Sequence, residues 1–159
     1  MDEESFRCFY AKTARPLWAY LARVSRDPSL ADDLTQESYL RLLRAALPES
    51  MAQAHRKSYL YQIATNLLRD HMRAHKFVVL DDQPSAERTA ERIQAERDVG
   101  RLLDLLKPRE RELLWLAYVE CFSHQEIATL VGAKAASIRP LLFRARRKLA
   151  GLLRESGIR

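Results

Sequence analysis

Apolar side chains recur at steps of three and four residues along most of the chain, which is the spacing of amphipathic α-helices. The pattern predicts a first helix over residues 5–25, with Pro16 as a kink or break. A second helix follows the turn at residues 27–29 and is predicted to run to about Leu47, with Ser29 as its N-cap. No long stretch alternates apolar and polar residues, so the sequence predicts an all-α fold.

A third helix is predicted from about Arg56 to His75, after a short loop over residues 48–55. The second and third helices each have one apolar stripe. In the second helix it contains Leu34, Tyr39, Leu42, Leu43 and Ala46. In the third helix it contains Tyr59, Leu60, Ile63, Leu67 and Leu68. Buried together, these faces make a first helical domain, which we place at residues 1–78.

Residues 79–100 carry alternating charges and few large apolar groups, which is typical of a linker. A second helical domain is predicted over residues 101–159. Pro108 opens one of its helices at the first helical position. Two groups of apolar residues are predicted to pack inward, namely Leu102, Leu103, Leu105 and Leu106, and then Leu113, Leu114, Leu116, Ala117 and Val119.

The segment 123–149 has the pattern of a helix-turn-helix. Ser123 and Glu126 have capping-box spacing at the start of a short helix. Gly132 permits the positive φ of a sharp turn, and a last helix is predicted from about Ser137 to Arg154. The shared buried face would contain Ile127, Ala128, Leu130, Ile138, Leu141, Leu142 and Leu149. A plain helical hairpin with a basic surface is the alternative interpretation.

The 159 residues are 47% hydrophobic and carry a net charge of +6. From Arg139 to Arg154 there are six basic residues and no acidic one, which indicates either a nucleic-acid partner or a solvated helix face. No run reaches the roughly 18 apolar residues of a membrane span, and the acidic N-terminus does not resemble a signal peptide. With two cysteines, we expect a soluble protein of a reducing compartment, the cytoplasm.

Candidate chemistry is sparse. His71 and His75 are four residues apart, and Cys121 precedes His124 closely, but neither pair has a clear third and fourth metal ligand. Asp32 and its neighbour are explained as acidic residues at a helix start. The chain contains no P-loop, GxSxG or GxGxxG motif. We therefore expect no enzymatic activity, no metal and no cofactor.

Three blocks carry a family resemblance. Residues 32–42, DDLTQESYLRL, are similar to the acidic-pair, leucine, glutamine-glutamate and aromatic signature of a sigma factor's second region. Residues 59–73, YLYQIATNLLRDHMR, are similar to its promoter-melting helix. Residues 108–112 and the helix-turn-helix resemble its fourth region. The chain resembles bacterial RNA polymerase sigma factors of the sigma-70 family, of the extracytoplasmic-function (ECF, group IV) type.

The resemblance implies roles in the first domain. The docking surface for the β′ coiled coil of core RNA polymerase would contain Asp33, Gln36, Glu37 and Arg41. Loop 48–55, with Met51, would take a flipped base of the −10 element. The melting helix would act through Asn66, Arg69, Asp70 and Arg73. From the residues alone, a solvated face is the favoured interpretation of the docking residues. It is also the alternative for the melting residues, with Asp70 and Arg73 as a local ion pair.

In the second domain, the resemblance implies that the last helix reads the −35 element. Ser137 and Arg139 can meet base edges or phosphates. The phosphate-binding set is Arg144, Arg146, Arg147 and Lys148. Pro140 and Phe143 depart from the family's more polar residues. Phe143 can touch a thymine methyl group, contact the polymerase or pack inside. The β flap would be met through Leu113, Leu116 and Ala117, which also suit a core.

The implied partners are core RNA polymerase, promoter DNA and an anti-sigma factor. Two alternatives remain at the level of sequence. One is a stand-alone helix-turn-helix regulator that binds duplex DNA without polymerase. The other is a sigma-like interaction protein that acts as a decoy for a regulator.

Overall fold

The computed structural model describes residues 1–74 and 95–157, and within these ranges it is helical without any strand. The helices are α1 (Glu3–Ser25), α2 (Pro28–Arg44), α3 (Gln53–Ala74), α4 (Ala95–Asp104), α5 (Pro108–Leu114), α6 (His124–Val131) and α7 (Ala135–Ser156). The predicted all-α class is confirmed. The predicted linker lies mostly outside the described residues, as does His75.

The contacts between residues divide the chain into two compact units. Helices α1 to α3 form the body of the first unit, and the helices after residue 95 supply most of the second. In the first unit, Tyr20, Leu60 and Tyr61 are fully buried. The rings of Tyr20 and Tyr61 lie 5.5 Å apart. The Tyr20 hydroxyl is 3.0 Å from the hydroxyl of Thr65, which satisfies a polar group inside the core.

Helix α2 is fixed to α1 by a polar contact at its centre. The hydroxyl of Tyr39 lies 2.5 Å from that of Thr13, which also donates to the Phe9 carbonyl. Burial raises the pKa of Tyr39 to about 12. The ring of Tyr10 lies 4.8 Å from that of Tyr39 and extends this packing to the surface.

The start of α2 differs from the sequence prediction. Its N-cap is Asp27, whose side chain accepts a hydrogen bond from the Leu30 amide at 3.1 Å, so Ser29 was the wrong cap. Pro28 takes the first helical position, where its fixed φ and missing amide cost least, and the cap must therefore precede it. Helix α1 is continuous through Pro16, so the predicted break does not occur there.

The end of α2 and the start of α3 also differ from their predicted positions. Helix α2 ends at Arg44, because Ala46 has a φ of 48°, in the left-handed region that interrupts a right-handed helix. The prediction of about Leu47 was too long. Helix α3 begins at Gln53, three residues before Arg56. The loop between these helices is therefore residues 45–52.

In the second unit, α5 opens at Pro108 as predicted, and the Lys107 amide donates to the Glu110 carboxylate at 2.8 Å. After α5, residues 115–119 form a π-helical turn, closed by a 3.1 Å bond from the Glu120 amide to the Trp115 carbonyl. The core of the unit contains Leu102, Leu106, Leu113, Leu114, Leu116, Ile127, Ala128, Ile138 and Leu142.

Several side chains predicted to pack inward are exposed, namely Leu43, Ala46, Tyr59, Leu105 and Val119. Two causes are visible. The π-helical turn adds a residue to one turn and moves Val119 out of the phase that an α-helix would give it. In α3, Tyr61 rather than Tyr59 is buried, because the core face is rotated towards Arg56 and Leu60. Ile63, Leu67, Leu141 and Leu149 are half-buried.

Candidate nucleic-acid interface

The helix-turn-helix has the local geometry that its sequence predicted. The Ser123 amide donates to the Glu126 carboxylate at 3.0 Å, and the Glu126 amide donates to the Ser123 hydroxyl at 3.1 Å. This reciprocal capping box is confirmed. Helix α6 then ends before Gly132, whose φ of 70° turns the chain.

Helix α7 starts two residues earlier than predicted, at Ala135 with Lys134 as its N-cap, so the predicted start at Ser137 was wrong. Pro140 therefore lies beyond the first turn. Because proline has no amide hydrogen, the Ala136 carbonyl lacks its intrahelical hydrogen-bond donor. The helix nevertheless continues without interruption through Pro140 to Ser156. Ser137 lies in the first turn and is half-buried.

An exposed, strongly basic face runs along α7. One open depression is lined by Ala136, Arg139, Pro140, Phe143, Arg144 and Arg146, so five predicted DNA-contacting residues meet at a single surface. Phe143 is 51% exposed, which excludes its packing inside this unit. Because these arginines project into solvent, the face offers positive charge to a polyanion at little desolvation cost.

Two further cations of this helix, Arg147 and Lys148, already have a neighbour within the unit. The guanidinium of Arg147 lies 5.8 Å from the centre of the Phe143 ring, in cation–π range. The Lys148 ammonium lies 3.0 Å from Glu110. Burial raises the pKa of the Glu110 carboxyl, but the Lys107 amide and Lys148 outweigh it, and the pKa is lowered overall.

The loop before α3 is held by a residue that the sequence did not single out. Arg56 is 3% exposed, and its guanidinium donates to the carbonyl oxygens of Pro48 and Glu49, both at 3.0 Å. The Met51 amide donates to the Pro48 carbonyl at 3.0 Å, and its side chain is half-buried. The one sequence signal is that Arg56 stands four residues before the core residue Leu60, at a buried helical position.

The outward side of α3 carries the other residues assigned to melting. Asn66, Asp70 and Arg73 are exposed, and Arg69 is half-buried. The Gln62 amide donates to the Asn66 side-chain oxygen at 3.0 Å, which orients that amide. Within the described residues Asp70 and Arg73 form no ion pair with each other, so the local pair of the alternative interpretation does not occur.

On α2, the residues assigned to polymerase docking share one side of the helix. Asp33, Gln36 and Arg41 are exposed, while Glu37 is half-buried and pairs with Arg41 at 2.9 Å. The 46%-exposed side chain of Leu40 lies among them and adds an apolar centre to this side, which the family resemblance did not indicate.

Asp32 lies beyond the first turn of α2, so a favourable interaction with the helix N-terminus does not explain it. Its carboxylate instead accepts a hydrogen bond from the Trp18 indole at 2.7 Å. This bond links α1 to α2 beside the docking side. The spacing of the two residues along the sequence gave no sign of it.

Comparison with known proteins decides the family. A model described as Sigma-70 region 2 matches residues 9–78, and one described as Sigma-70, region 4 matches residues 96–149. RNA polymerase sigma factor CarQ of Myxococcus xanthus is 32% identical over 162 residues, which cover 96% of this chain and 91% of CarQ. The chain belongs to the sigma-70 family of RNA polymerase sigma factors.

Other relatives place this sigma factor in the ECF group. ECF RNA polymerase sigma factor SigM of Bacillus subtilis is 26% identical, covering 90% of this chain and 91% of SigM. Probable RNA polymerase sigma factor RfaY of Xanthomonas campestris is 30% identical over 140 residues, but this chain spans 34% of it. As a sigma factor, the protein directs transcription initiation by binding core RNA polymerase and promoter DNA.

The fold of the sigma factor is matched by a solved structure. The sigma factor RpoE from Bartonella quintana, crystallised with the anti-sigma factor NepR, superposes with a TM-score of 0.73 at 22% identity. The match covers 95% of this chain and 98% of RpoE. At this identity the likeness establishes the fold.

The second unit contains the region 4 match and is called the region 4 unit below. The residues expected to meet the β flap are mostly inside it. Leu113 is 1% exposed and Leu116 is fully buried, while Ala117 is half-buried. The leucines therefore serve as core. The π-helical turn instead presents Tyr118 and Val119, which are 54% and 56% exposed.

Across the described residues, no helix is long and apolar enough to cross a membrane. In the same ranges, no group of three or more His, Cys, Asp or Glu side chains is placed to hold a metal ion. Cys8 and Cys121 are exposed free thiols. The sigma-70 family is not a class of enzymes.

Proposed function

We propose that helix α7 of this sigma factor holds the −35 duplex in its major groove. The observation that carries this role is the exposed cationic face of α7, presented by a capped helix and a glycine turn. Arg139, Arg144 and Arg146 converge on one open surface without a carboxylate among its lining residues. Phosphates that flank a groove are the natural ligands of such a face. Lys148, held by Glu110, contributes less.

The −10 element is assigned to the loop at residues 45–52 and to α3. The loop backbone is fixed by Arg56, which gives a flipped base a preformed surface beside Met51. Capturing a base outside the stack costs a few kcal/mol, so preorganisation of the surface lowers the barrier to melting. Asn66 presents an oriented amide to a base edge, and Arg73 presents a cation to the strand.

Docking on the β′ coiled coil is assigned to the exposed side of α2. Asp33 and Gln36 offer polar contacts, and the ion pair of Glu37 with Arg41 fixes two more charged groups in place. Leu40 at the centre supplies apolar area, in keeping with interfaces that have an apolar core and a polar rim. The β flap is met by the region 4 unit.

The domain division that accompanies these roles is residues 1–78 for polymerase docking and −10 melting, 79–100 as a linker, and 101–159 for −35 recognition. The family matches at residues 9–78 and 96–149 support it. An anti-sigma factor is the proposed inhibitory partner, supported by the RpoE relative that was crystallised with one. The site of action is the cytoplasm, with the polymerase.

The test is run-off transcription with core polymerase, the purified protein and a library of promoter fragments. Specific starts that require both components, and that depend on a −35 and a −10 element, are the expected result. Binding to core without starts would favour the decoy alternative. A shift of duplex DNA without any interaction with core would favour the stand-alone regulator and overturn the docking and melting roles.

A further inference from the structure

The centre of the exposed face of α7 is apolar, although the helix is strongly basic. At 3.6 residues per turn, Ala136, Pro140 and Phe143 fall within an arc of about 60°. All three are exposed and line the same depression. Arg147 continues this strip towards the C-terminus, with its guanidinium beside the Phe143 ring. A half-exposed phenylalanine here contributes no core packing.

Cations border this apolar strip on both sides. Arg139 and Arg146 lie about 60–80° from Ala136 on one side, and Arg144 lies about 80° away on the other. All three side chains are exposed. The face is therefore complementary to a DNA major groove. Its apolar centre matches the base edges on the groove floor, and its positive edges match the phosphates on the two sides of the groove.

Resting on the proposed −35 role, we propose that Phe143 and Pro140 read thymine methyl groups in the major groove. The 5-methyl of thymine is the apolar group that base edges present there, and phenylalanine and alanine are side chains that contact it. The neighbouring arginines hold phosphates and carry no sequence information themselves. Sequence preference thus comes from the apolar strip, and affinity comes from its edges.

The test uses holoenzyme assembled from the full chain and core polymerase, on a promoter selected from the library. Each −35 thymine is replaced in turn by deoxyuridine, which lacks only the methyl, and duplex affinity is measured by competition. Burying one methyl is worth about a four-fold change in affinity. For the wild type, we expect deoxyuridine to lower the duplex affinity about four-fold at one or two positions. For Phe143→Ala, we expect no loss of affinity at those positions.

Arg144→Ala is the matched control, because it should weaken binding at every sequence while keeping the four-fold methyl effect. The inference is overturned if Phe143→Ala keeps the methyl effect, if no deoxyuridine weakens the wild type, or if the selected −35 element has no thymine on either strand. A defect of Phe143→Ala in binding core would assign Phe143 to the polymerase instead. A different result would overturn the proposed −35 role itself: wild-type holoenzyme that binds equally well whatever the −35 sequence. That result is obtained without any deoxyuridine substitution, so the two failures can be told apart.

Discussion

The Lys148 ammonium lies 3.0 Å from a carboxylate oxygen of Glu110 and so ties α7 to the first turn of α5. A cation that already has a carboxylate partner gains less from a phosphate than one that projects into water. The basic residues of α7 are therefore unequal, although the sequence presents them as one run.

This inequality predicts different salt dependences for two variants. If α7 neutralises about four phosphates, it contributes about −4 to the slope of log affinity against log salt. Arg144→Ala should flatten that slope by about one unit and weaken binding at all sequences. Lys148→Ala should flatten it by clearly less. Competition binding of holoenzyme at several salt concentrations measures both, and equal slopes for the two variants would contradict the distinction.

The same ion pair predicts a pH dependence of stability. The pKa of Glu110 is lowered from its ordinary value of 4.5, so the folded protein binds this proton less readily than the unfolded chain. The stabilisation is complete above that ordinary value and is lost as the pH falls through the lower folded pKa. Glu110→Gln keeps an acceptor for the Lys107 amide but removes the charge.

Urea unfolding of the wild type and Glu110→Gln measures this effect. The wild type should be more stable at pH 7, by up to about 1 kcal/mol for a surface pair. The difference should shrink as the pH falls below about 4.5, the ordinary pKa of the carboxyl. A difference that is constant across this range would show that Glu110 contributes through packing and not through its charge.

Arg56→Met should loosen the loop at residues 45–52. The change removes two hydrogen bonds, so the Glu49 carbonyl loses its guanidinium donor and the Pro48 carbonyl keeps only the Met51 amide, at a cost of about 1–3 kcal/mol. Denaturant unfolding should show this loss, and permanganate footprinting of the −10 strand should show slower melting. Arg15→Met, at an exposed position of α1, is the matched control and should change neither.

Asn66→Ala should slow open-complex formation and leave binding to the closed −35 duplex unchanged. Because Asn66 is exposed, its loss should alter stability by less than about 0.5 kcal/mol. Gln62→Ala removes only the bond that orients the Asn66 amide and should have a smaller effect of the same kind. Unchanged melting by Asn66→Ala would remove this residue from the −10 site.

Ser123→Ala should destabilise the region 4 unit by about 1 kcal/mol, because it removes one half of the capping box. Ser123→Asp keeps an acceptor at the cap and should retain most of the stability. Thermal unfolding of the three proteins, followed by circular dichroism, gives the comparison. If Ser123→Ala unfolds at the wild-type temperature, the cap is not a stabilising element of this helix-turn-helix.

Local signals predicted much of this fold. Pro108, Gly132 and the pair of Ser123 with Glu126 act on neighbouring backbone groups, and each does in the structure what its residue type requires. Helical periodicity likewise located the buried residues of α6 and most of the basic face of α7. Such features depend on a few consecutive residues, so one sequence is enough to find them.

Features that depend on distant residues, or on a helix geometry that no residue type specifies, were missed. The phase of Val119 is set by a π-helical turn, which no residue type specifies. The burial of Arg56 depends on two carbonyls in the preceding loop, and the role of Asp32 depends on Trp18 in another helix. The exposed fraction of a side chain also decided between interpretations that the sequence left open. It placed Leu113 in the core and Phe143 on the surface.

The hydrogen bonds from Arg56 to main-chain oxygens have a consequence for how the sequence of this loop can change during evolution. Because the two contacts involve Pro48 and Glu49 only through their carbonyls, they do not depend on which side chains the loop carries. Substitutions along the loop can then accumulate without disturbing its path. If the loop has the −10 role proposed above, such substitutions can change the −10 preference while the backbone of the loop stays the same.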